Sequence, residues 1–429
     1  MDGADEARRT EETDASGRLM AADGTPLKRR LAQALFRTRM RALGLTAPLI
    51  AFIFLFFFVP IAYLLFQGVY NDRFEEGMPR TTVLLQDWQY PELPDEEVYA
   101  AVVADLLEAR EIDRALPTRV GARVNREFSG ATSTFKKTTR RAARMEAPFK
   151  EKLLDVDKDW GDPAFWAAMK RASNSYTASF VLKSIDLRFA DDGGIRQIDE
   201  VLRIHVKLFL RTLEISALVT AFTLILGYPV AWLLAHLPSR SANLLMIMVL
   251  LPFWTSILVR TTAWIAILQG QGVLNDIFVF VGVASDEARF SMIYNKLGTL
   301  IAMTHILLPF MILPLYSVMK AIPPYYLRAA KSLGATNWTA FWRVYFPQTV
   351  PGIGAGGILV FILAIGYYIT PALVGGQDGV MISNIIDNHM RSSLNYSLAA
   401  ALGLVLLAFV LILYWLYDRI VGIDNMKLG

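Results

Sequence analysis

Long stretches of the chain carry no formal charge, and their lengths give the first prediction. Five of them lack Asp, Glu, Lys and Arg altogether: 42–71, 215–239, 297–319, 344–377 and 392–417. A sixth, 241–275, is interrupted only by Arg260. A helix that crosses a bilayer needs about 20 mostly apolar residues. The pattern therefore predicts six membrane-spanning helices, at about 46–67, 209–234, 244–268, 297–319, 352–373 and 398–417.

A long polar region separates the first predicted span from the second. Residues 72–200 hold 20 Lys and Arg and 24 Asp and Glu, more than half of the charged residues in the chain. Three segments in this region have apolar residues at helical spacing: Glu96–Arg110, Phe149–Val156 and Pro163–Ala172. We therefore predict a helical insertion at 68–204, followed by a five-helix membrane core at 205–420. The fold class is all-α and polytopic.

The distribution of Lys and Arg predicts the orientation of the spans. Six basic residues and no acid lie between Asp23 and the first span, and 320–343 carries four basic residues and no acid. The loops 269–296 and 374–397 together carry three basic and five acidic residues. Cytoplasmic loops are enriched in Lys and Arg. The N-terminal tail 1–45 and the C-terminal tail 421–429 are therefore predicted to be cytoplasmic, and the insertion extracytoplasmic.

Composition and motifs exclude several classes of protein. With 54% hydrophobic and 19% charged residues, the chain is too apolar for an ordinary soluble enzyme or a nucleic-acid binder. The absence of cysteine excludes thiol catalysis and Cys-based metal sites. The four histidines share no metal-ligand spacing, and there is no G-x-x-x-x-G-K-[ST] phosphate loop. We expect no catalytic residue, metal or cofactor on this chain, and we expect a partner to supply the energy for transport.

One predicted cytoplasmic loop, 322–350, has a pattern of its own. A proline pair is expected to stop the preceding helix and to start a short helix over Tyr325–Leu333, with Gly334 as its C-terminal cap. Asn337 can cap a second short helix, Trp338–Phe346, which the proline after it is expected to end. The loop has more apolar residues than a water-exposed linker needs. It either rests on lipid as an amphipathic segment or docks a cytoplasmic partner.

The same loop resembles the EAA loop of ATP-binding-cassette importer permeases. The runs R-A-A-K-S-L-G-A, F-W-R-V-Y-F-P and P-G-I follow the family pattern of Glu-Ala-Ala, three residues and Gly, then an apolar run, Pro and Pro-Gly. Arg328 stands where the family usually has Glu. The matching positions are Ala329, Ala330, Gly334, Ala335, Pro347, Pro351 and Gly352. The resemblance covers about 205–420 and the first span, and it makes Arg328, Ala329, Ala330, Gly334, Ala335 and Pro347 the expected ATPase-coupling residues.

Other fragments are similar to the permeases of polyamine importers within that family. They are Leu251–Trp254 with Arg260, Gly272–Asn275, and Leu363–Gly366 with Val374–Gly376. The resemblance implies a type I importer permease in a bacterial inner membrane that carries a polyamine such as spermidine or putrescine. It also implies the partners: two cytoplasmic ATPases, a second permease subunit or copy, an extracytoplasmic solute-binding protein and membrane lipid.

Few residues in the predicted spans could line a path for a solute. We take Trp254, Arg260, Tyr367 and Tyr368 as candidates, because an ionisable residue in a span is a functional candidate and aromatic faces attract cations. Two other readings stay open: Arg260 snorkels to the outer surface, and the aromatic residues serve packing or the interface. Glu214, one helical turn from Arg211, is expected to form an ion pair with it.

Two alternative functions remain open on the sequence. The chain could import an opine or another small solute within the same family. A secondary transporter with six spans is the other alternative, and it would need buried acids for ion coupling. Only Glu214 offers such an acid. A membrane enzyme would need paired carboxylates or clustered histidines inside the spans, and the sequence shows neither.

Overall fold

The computed structural model describes residues 27–421, and nearly all of its regular structure is helical. The chain divides into two units, one ending at Leu64 and the other beginning at Leu65. The first unit contains α1 (Leu27–Ile53), a π-helical turn (Phe54–Phe58) and the start of α2 (Val59–Phe66). More than half of the predicted tail 1–45 lies outside the described residues, and so does all of the tail 421–429 except its first residue.

The second unit begins with the insertion, which is helical as predicted. Its elements are α3 (Arg73–Gly77), α4 (Pro79–Asp87), α5 (Glu96–Ile112), α6 (Leu116–Val124), α7 (Ala131–Ala142), α8 (Phe149–Val156), α9 (Pro163–Ser173), α10 (Ser179–Ser184), β1 (Leu187–Phe189) and β2 (Ile195–Gln197). The two strands form an antiparallel hairpin in which Arg188 lies opposite Arg196. All three helices predicted from apolar spacing are present.

The membrane region follows. Its helices are α11 (His205–His236), α12 (Ser239–Leu250), α13 (Ile257–Leu268), α14 (Val273–Phe280), α15 (Lys296–Ala321), α16 (Tyr325–Ser332), α17 (Asn337–Ala340), α18 (Phe346–Ile365), α19 (Ile369–Val374), α20 (Ile382–Arg391) and α21 (Tyr396–Val421). Six helical segments of the described chain are long and apolar enough to cross a membrane: Thr38–Phe66, Glu200–His236, Ile257–Phe280, Lys296–Ala321, Asn337–Ile365 and Tyr396–Arg419. This confirms the predicted number of spans. The third and fifth candidates, Ile257–Phe280 and Asn337–Ile365, lie at other positions than the predicted 244–268 and 352–373.

The third span differs from the single helix predicted at 244–268. The helix α12 ends at Leu250, a 3-10 turn runs over Leu251–Trp254, and α13 starts at Ile257. Pro252 cannot donate a backbone hydrogen bond, so a regular helix is interrupted there. Beyond the break, the Ser256 hydroxyl accepts from the backbone N–H of Leu258 and caps the new helix.

Three long helices, α11, α15 and α18, form the centre of the membrane region. Their shared core consists mainly of aliphatic and methionine side chains, and α15 contributes the largest share, among them the fully buried Leu307 and Met311. Gly356 on α18 lies so close to α15 that a Cβ there would be 2.8 Å from Met311 Sδ. The Gly352-x-x-x-Gly356 pattern therefore serves close helix packing, as small residues do in membrane bundles.

The insertion has a hydrophobic core of its own. Phe135, Trp160, Phe165 and Trp166 are fully buried at its centre, and the rings of Trp160 and Phe165 meet edge to face at 5.1 Å. The indole N–H of Trp160 donates to the Thr138 hydroxyl at 3.0 Å. This core is the size of a small domain's, so the insertion is a folded domain and not a long loop.

Several contacts fasten the insertion to the membrane region. Phe180 of α10 lies in an apolar cluster with Ile382 of α20 and Leu402 of α21. Asp186 accepts from the backbone N–H groups of His205 and Val206 at the start of α11, and its carboxylate lies 2.9 Å from His205 Nδ1. A carboxylate at a helix N-terminus is favoured by the unpaired N–H groups and the helix dipole.

Candidate functional site

The loop between the fourth and fifth spans begins as the sequence predicts. The helix α15 ends at Ala321, and α16 starts after the proline pair. Gly334 follows α16 with φ of +87°, the left-handed conformation that a glycine C-cap requires. A Cβ at Gly334 would meet nothing within 4 Å, so the turn needs glycine for its backbone conformation and not for space.

Two details of this loop were predicted wrongly. The N-cap of the next helix is Thr336, whose hydroxyl accepts from Thr339 N–H, and not Asn337. Pro347 does not end that helix. A π-helical turn over Phe341–Tyr345 precedes it, and the helix continues to Ile365. A local π turn lets a membrane helix absorb a proline that cannot donate to the ladder.

Part of the loop is held against the membrane region. Leu327 and Phe341 pack on the central core, in which Tyr345 is buried. The ring of Phe341 lies 6.3 Å from Tyr228 of α11, edge to face. The Tyr228 and Thr349 hydroxyls are 3.2 Å apart, which joins α11 to α18 just above the loop. These contacts fix the loop relative to two of the three central helices.

The opposite side of the loop is exposed. We call Arg328, Lys331, Leu333, Trp338 and Trp342 the coupling surface. Leu333 is 89% exposed and Trp338 is 72% exposed, high values for large apolar side chains. Trp338 and Trp342 meet edge to face at 5.6 Å, one helical turn apart. The surface thus combines two basic side chains with exposed apolar ones, and it carries no acid.

The other loop residues singled out by the sequence lie on or beside this surface. Arg328, Ala329, Gly334 and Pro347 are exposed, and Ala330 and Ala335 are partly buried. No ion pair involving Arg328 or Lys331 exists among residues 27–421. The basic charges on this surface are therefore free to meet a partner.

The four candidate path residues differ in their surroundings. Trp254 is 86% exposed, in the turn that breaks the third span. Tyr368 lies after the end of α18 and accepts from Arg391 at 3.3 Å, with the guanidinium over its ring. Arg260 and Tyr367 are partly buried. The positive charge of Arg260 interacts electrostatically with the Tyr367 hydroxyl.

Arg260 belongs to a polar group that the sequence did not reveal as a whole. Its Nε is buried without a hydrogen-bond partner among the described residues, and its charge acts on His305 of α15. Trp264, one turn after Arg260, donates to His305 Nδ1 at 3.1 Å. The spacing of Arg260 and Trp264 could have suggested the pair, but His305 is 45 positions away and only the fold brings it close.

The expected ion pair between Arg211 and Glu214 is absent. Glu214 pairs with Lys296 at the start of α15. Arg211 donates to the backbone carbonyl of Gln377 at 2.6 Å and lies 3.8 Å from Asp378. Both side chains prefer partners on neighbouring segments, so the two residues connect α11 to different parts of the membrane region. The single acid suggested for ion coupling is thus already paired.

These features define the class of protein: an all-helical, multi-pass membrane protein with an exposed apolar and basic loop between its fourth and fifth spans. Residues 227–421 match the family of binding-protein-dependent transport system inner membrane components. The chain is 32% identical over 248 residues to the spermidine/putrescine transport system permease protein PotB of Salmonella typhimurium strain SL1344, covering 57% of this chain and 83% of that protein. The chain therefore belongs to this family of inner-membrane permease components.

Two further relatives, both from Escherichia coli, agree with this assignment. PotB of Escherichia coli strain K12 is 32% identical over 248 residues, covering 57% of this chain and 87% of that protein. The inner membrane ABC transporter permease protein YdcU of the same strain is 32% identical over 229 residues, covering 51% and 73%. A crystal structure of a bacterial alginate ABC transporter with its periplasmic protein has a chain 18% identical to this one, with a TM-score of 0.44, covering 52% of this chain and 80% of that one.

Proposed function

We propose that this permease forms the membrane path of an importer for polyamines such as spermidine and putrescine. The observation that carries the proposal is the similarity to PotB proteins, whose names state that substrate, over more than four fifths of their length. The alternative, an opine or another small solute in the same family, has no comparable support. The alternative of a secondary transporter is less well supported, because Glu214, the one acid suggested for ion coupling, is paired with Lys296.

We further propose that two cytoplasmic ATPases bind at the coupling surface of this chain and of a second permease subunit. Exposed apolar side chains beside basic ones, as at Leu333 and Arg328, are typical of a surface that a protein partner covers. The residues Ala329, Ala330, Gly334, Ala335 and Pro347 would give this surface its shape. Because the helix from Asn337 continues to Ile365, a force on the surface would reach the core directly.

In this proposal the membrane region selects the substrate only weakly. A tight polyamine site needs carboxylates with aromatic faces. The charge of Arg260 instead acts on Tyr367, which disfavours a tight site for a cation at that residue. Selection would therefore belong to the extracytoplasmic binding protein, and the path would offer no strong site that slows release.

The substrate can be tested by uptake in the organism's own cells after deletion of the gene. We expect the uptake of radiolabelled spermidine to fall to the background of a strain lacking the cognate ATPase, and the intact gene to restore it. Octopine uptake measured in the same cells is the control for the alternative. If the deletion strain loses octopine uptake and keeps normal spermidine uptake, the substrate is an opine and not a polyamine. The assignment to the permease family would not change.

The proposed orientation can be tested with single cysteines, because the chain has none of its own. We expect Lys136→Cys, exposed on α7 of the insertion, to react with a membrane-impermeant maleimide in spheroplasts. Ser332→Cys, exposed on α16, should react only after the membrane is permeabilised. The reverse pattern would place the coupling surface outside the cell and would rule out cytoplasmic ATPases as its partners.

A further inference from the structure

A narrow basic cleft lies where the insertion meets the membrane region. It is lined by Asn71, Arg73, Ala122, Arg123, Arg126, Phe180, Leu394, Asn395, Tyr396 and Ser397. Three arginines line it, and none of the lining residues is acidic. Its volume of about 20 Å³ has room for about one water-sized group. An occupant would therefore insert a small polar group and leave the rest of itself outside.

One of the three arginines is part of the structure of the insertion. Arg123 is 3% exposed, pairs with Glu127 at 3.1 Å and lies 5.0 Å above the Phe180 ring. Glu127 is also 3.2 Å from Lys183 of α10. The Glu127 carboxylate thus pairs with one buried cation, Arg123, and one partly buried cation, Lys183. The Nε of Arg123 is still buried without a hydrogen-bond partner among the described residues.

The other two arginines have no carboxylate at all. Neither Arg73 nor Arg126 forms an ion pair with any residue of the described chain. Arg126 donates only to the Ser393 carbonyl, at 3.5 Å. Burial lowers the pKa of Arg126, and the charges of Arg73 and Arg123 lower it further. Such repulsion between like charges is relieved by an anion.

The position of the cleft suggests where such an anion comes from. Asn71 follows shortly after Phe66, the end of the first candidate span, and Tyr396 starts the last one. The Asn71 amide donates to the Ser397 hydroxyl at 2.9 Å across the cleft. Residues at the ends of spans lie at the depth of the lipid headgroups. A cleft lined by arginines at this depth is within reach of the phosphate groups of lipids.

We propose that this cleft admits one oxygen of a phosphate group, which Arg73, Arg123 and Arg126 bind at the cleft, and that the group belongs to an anionic phospholipid. The lipid would neutralise the arginines and join the insertion to the last span. Arginine is well suited to this, since its fork of N–H donors matches phosphate oxygens. The site is independent of the transported solute, and its test does not depend on the proposed function.

The test compares three probes on the purified full chain in detergent: inorganic phosphate, dihexanoyl phosphatidylglycerol and dihexanoyl phosphatidylcholine. We expect saturable binding of the phosphatidylglycerol by calorimetry and much weaker binding of the zwitterionic lipid. The double substitution Arg73→Gln and Arg126→Gln should weaken binding by about tenfold for each arginine removed, since each supplies a charge-assisted hydrogen bond. Arg126→Lys should keep most of the affinity.

Arg119→Gln is the matched control, because Arg119 lies on the same helix α6 but is half exposed and pairs with Asp113 outside the cleft. It should bind like the unmodified chain. If phosphatidylglycerol binds and inorganic phosphate does not, the occupant is a lipid, as proposed. If only inorganic phosphate binds, the site takes a free anion and the proposal of a lipid is wrong. The proposal is overturned if no probe binds, or if the double substitution binds as tightly as Arg119→Gln.

Discussion

Replacing Trp338 and Leu333 together by alanine is expected to abolish ATP-driven uptake and to leave the folded permease in the membrane. Both side chains are largely exposed, so their removal costs the fold little, within about 0.5 kcal/mol. A tryptophan at the centre of a protein interface typically contributes about 2 kcal/mol or more. Loss of Trp338 alone should then weaken ATPase binding by about 30-fold.

The measurement is copurification of the ATPase subunits with the tagged permease, followed by uptake in the same strain. Ile112→Ala is the control, because Ile112 is also an exposed apolar residue, 70% exposed, but lies in the insertion. It should leave both results unchanged. If the double variant retains the ATPases and normal uptake, the exposed loop does not serve coupling, and the remaining reading is a segment resting on lipid.

The second large effect is expected at Gly376, in the turn after α19. A Cβ there would be 2.1 Å from the Tyr294 carbonyl oxygen, and the backbone has φ of +53°. Neither the carbonyl nor the turn can move without displacing the segment that precedes α15. We expect Gly376→Ala to destabilise the protein by about 3 kcal/mol or more, the sum of backbone strain and overpacking.

Gly282→Ala separates these two causes. Gly282 also has positive φ, +78°, but a Cβ there would meet nothing within 4 Å. Its substitution should cost only the strain of a left-handed residue, about 1 kcal/mol. Thermal unfolding of both variants in the same detergent gives the comparison. Equal losses of Tm would mean that the contact with Tyr294 does not matter and that conformation alone explains both glycines.

Several features that follow from local rules were predicted correctly. Charge-free stretches long enough to cross a bilayer predicted the six spans, and apolar spacing predicted helices such as Pro163–Ser173. Gly334 was predicted as a helix cap because few other residues adopt its conformation. The runs around Arg328 and Pro347 identified the family, which the comparisons then confirmed. The sides of the membrane and the coupling residues stay predictions.

Only the tertiary structure decided features that depend on neighbours distant in sequence. Pro347 was expected to end a helix, but the packing of Phe341 and Tyr345 on the core favours a π turn that continues it. Glu214 takes Lys296 as its partner because another span brings that amine closer than Arg211. Propensity and spacing describe one segment at a time. Ion pairs, glycine contacts and the arginine cleft depend on which segments the fold places side by side.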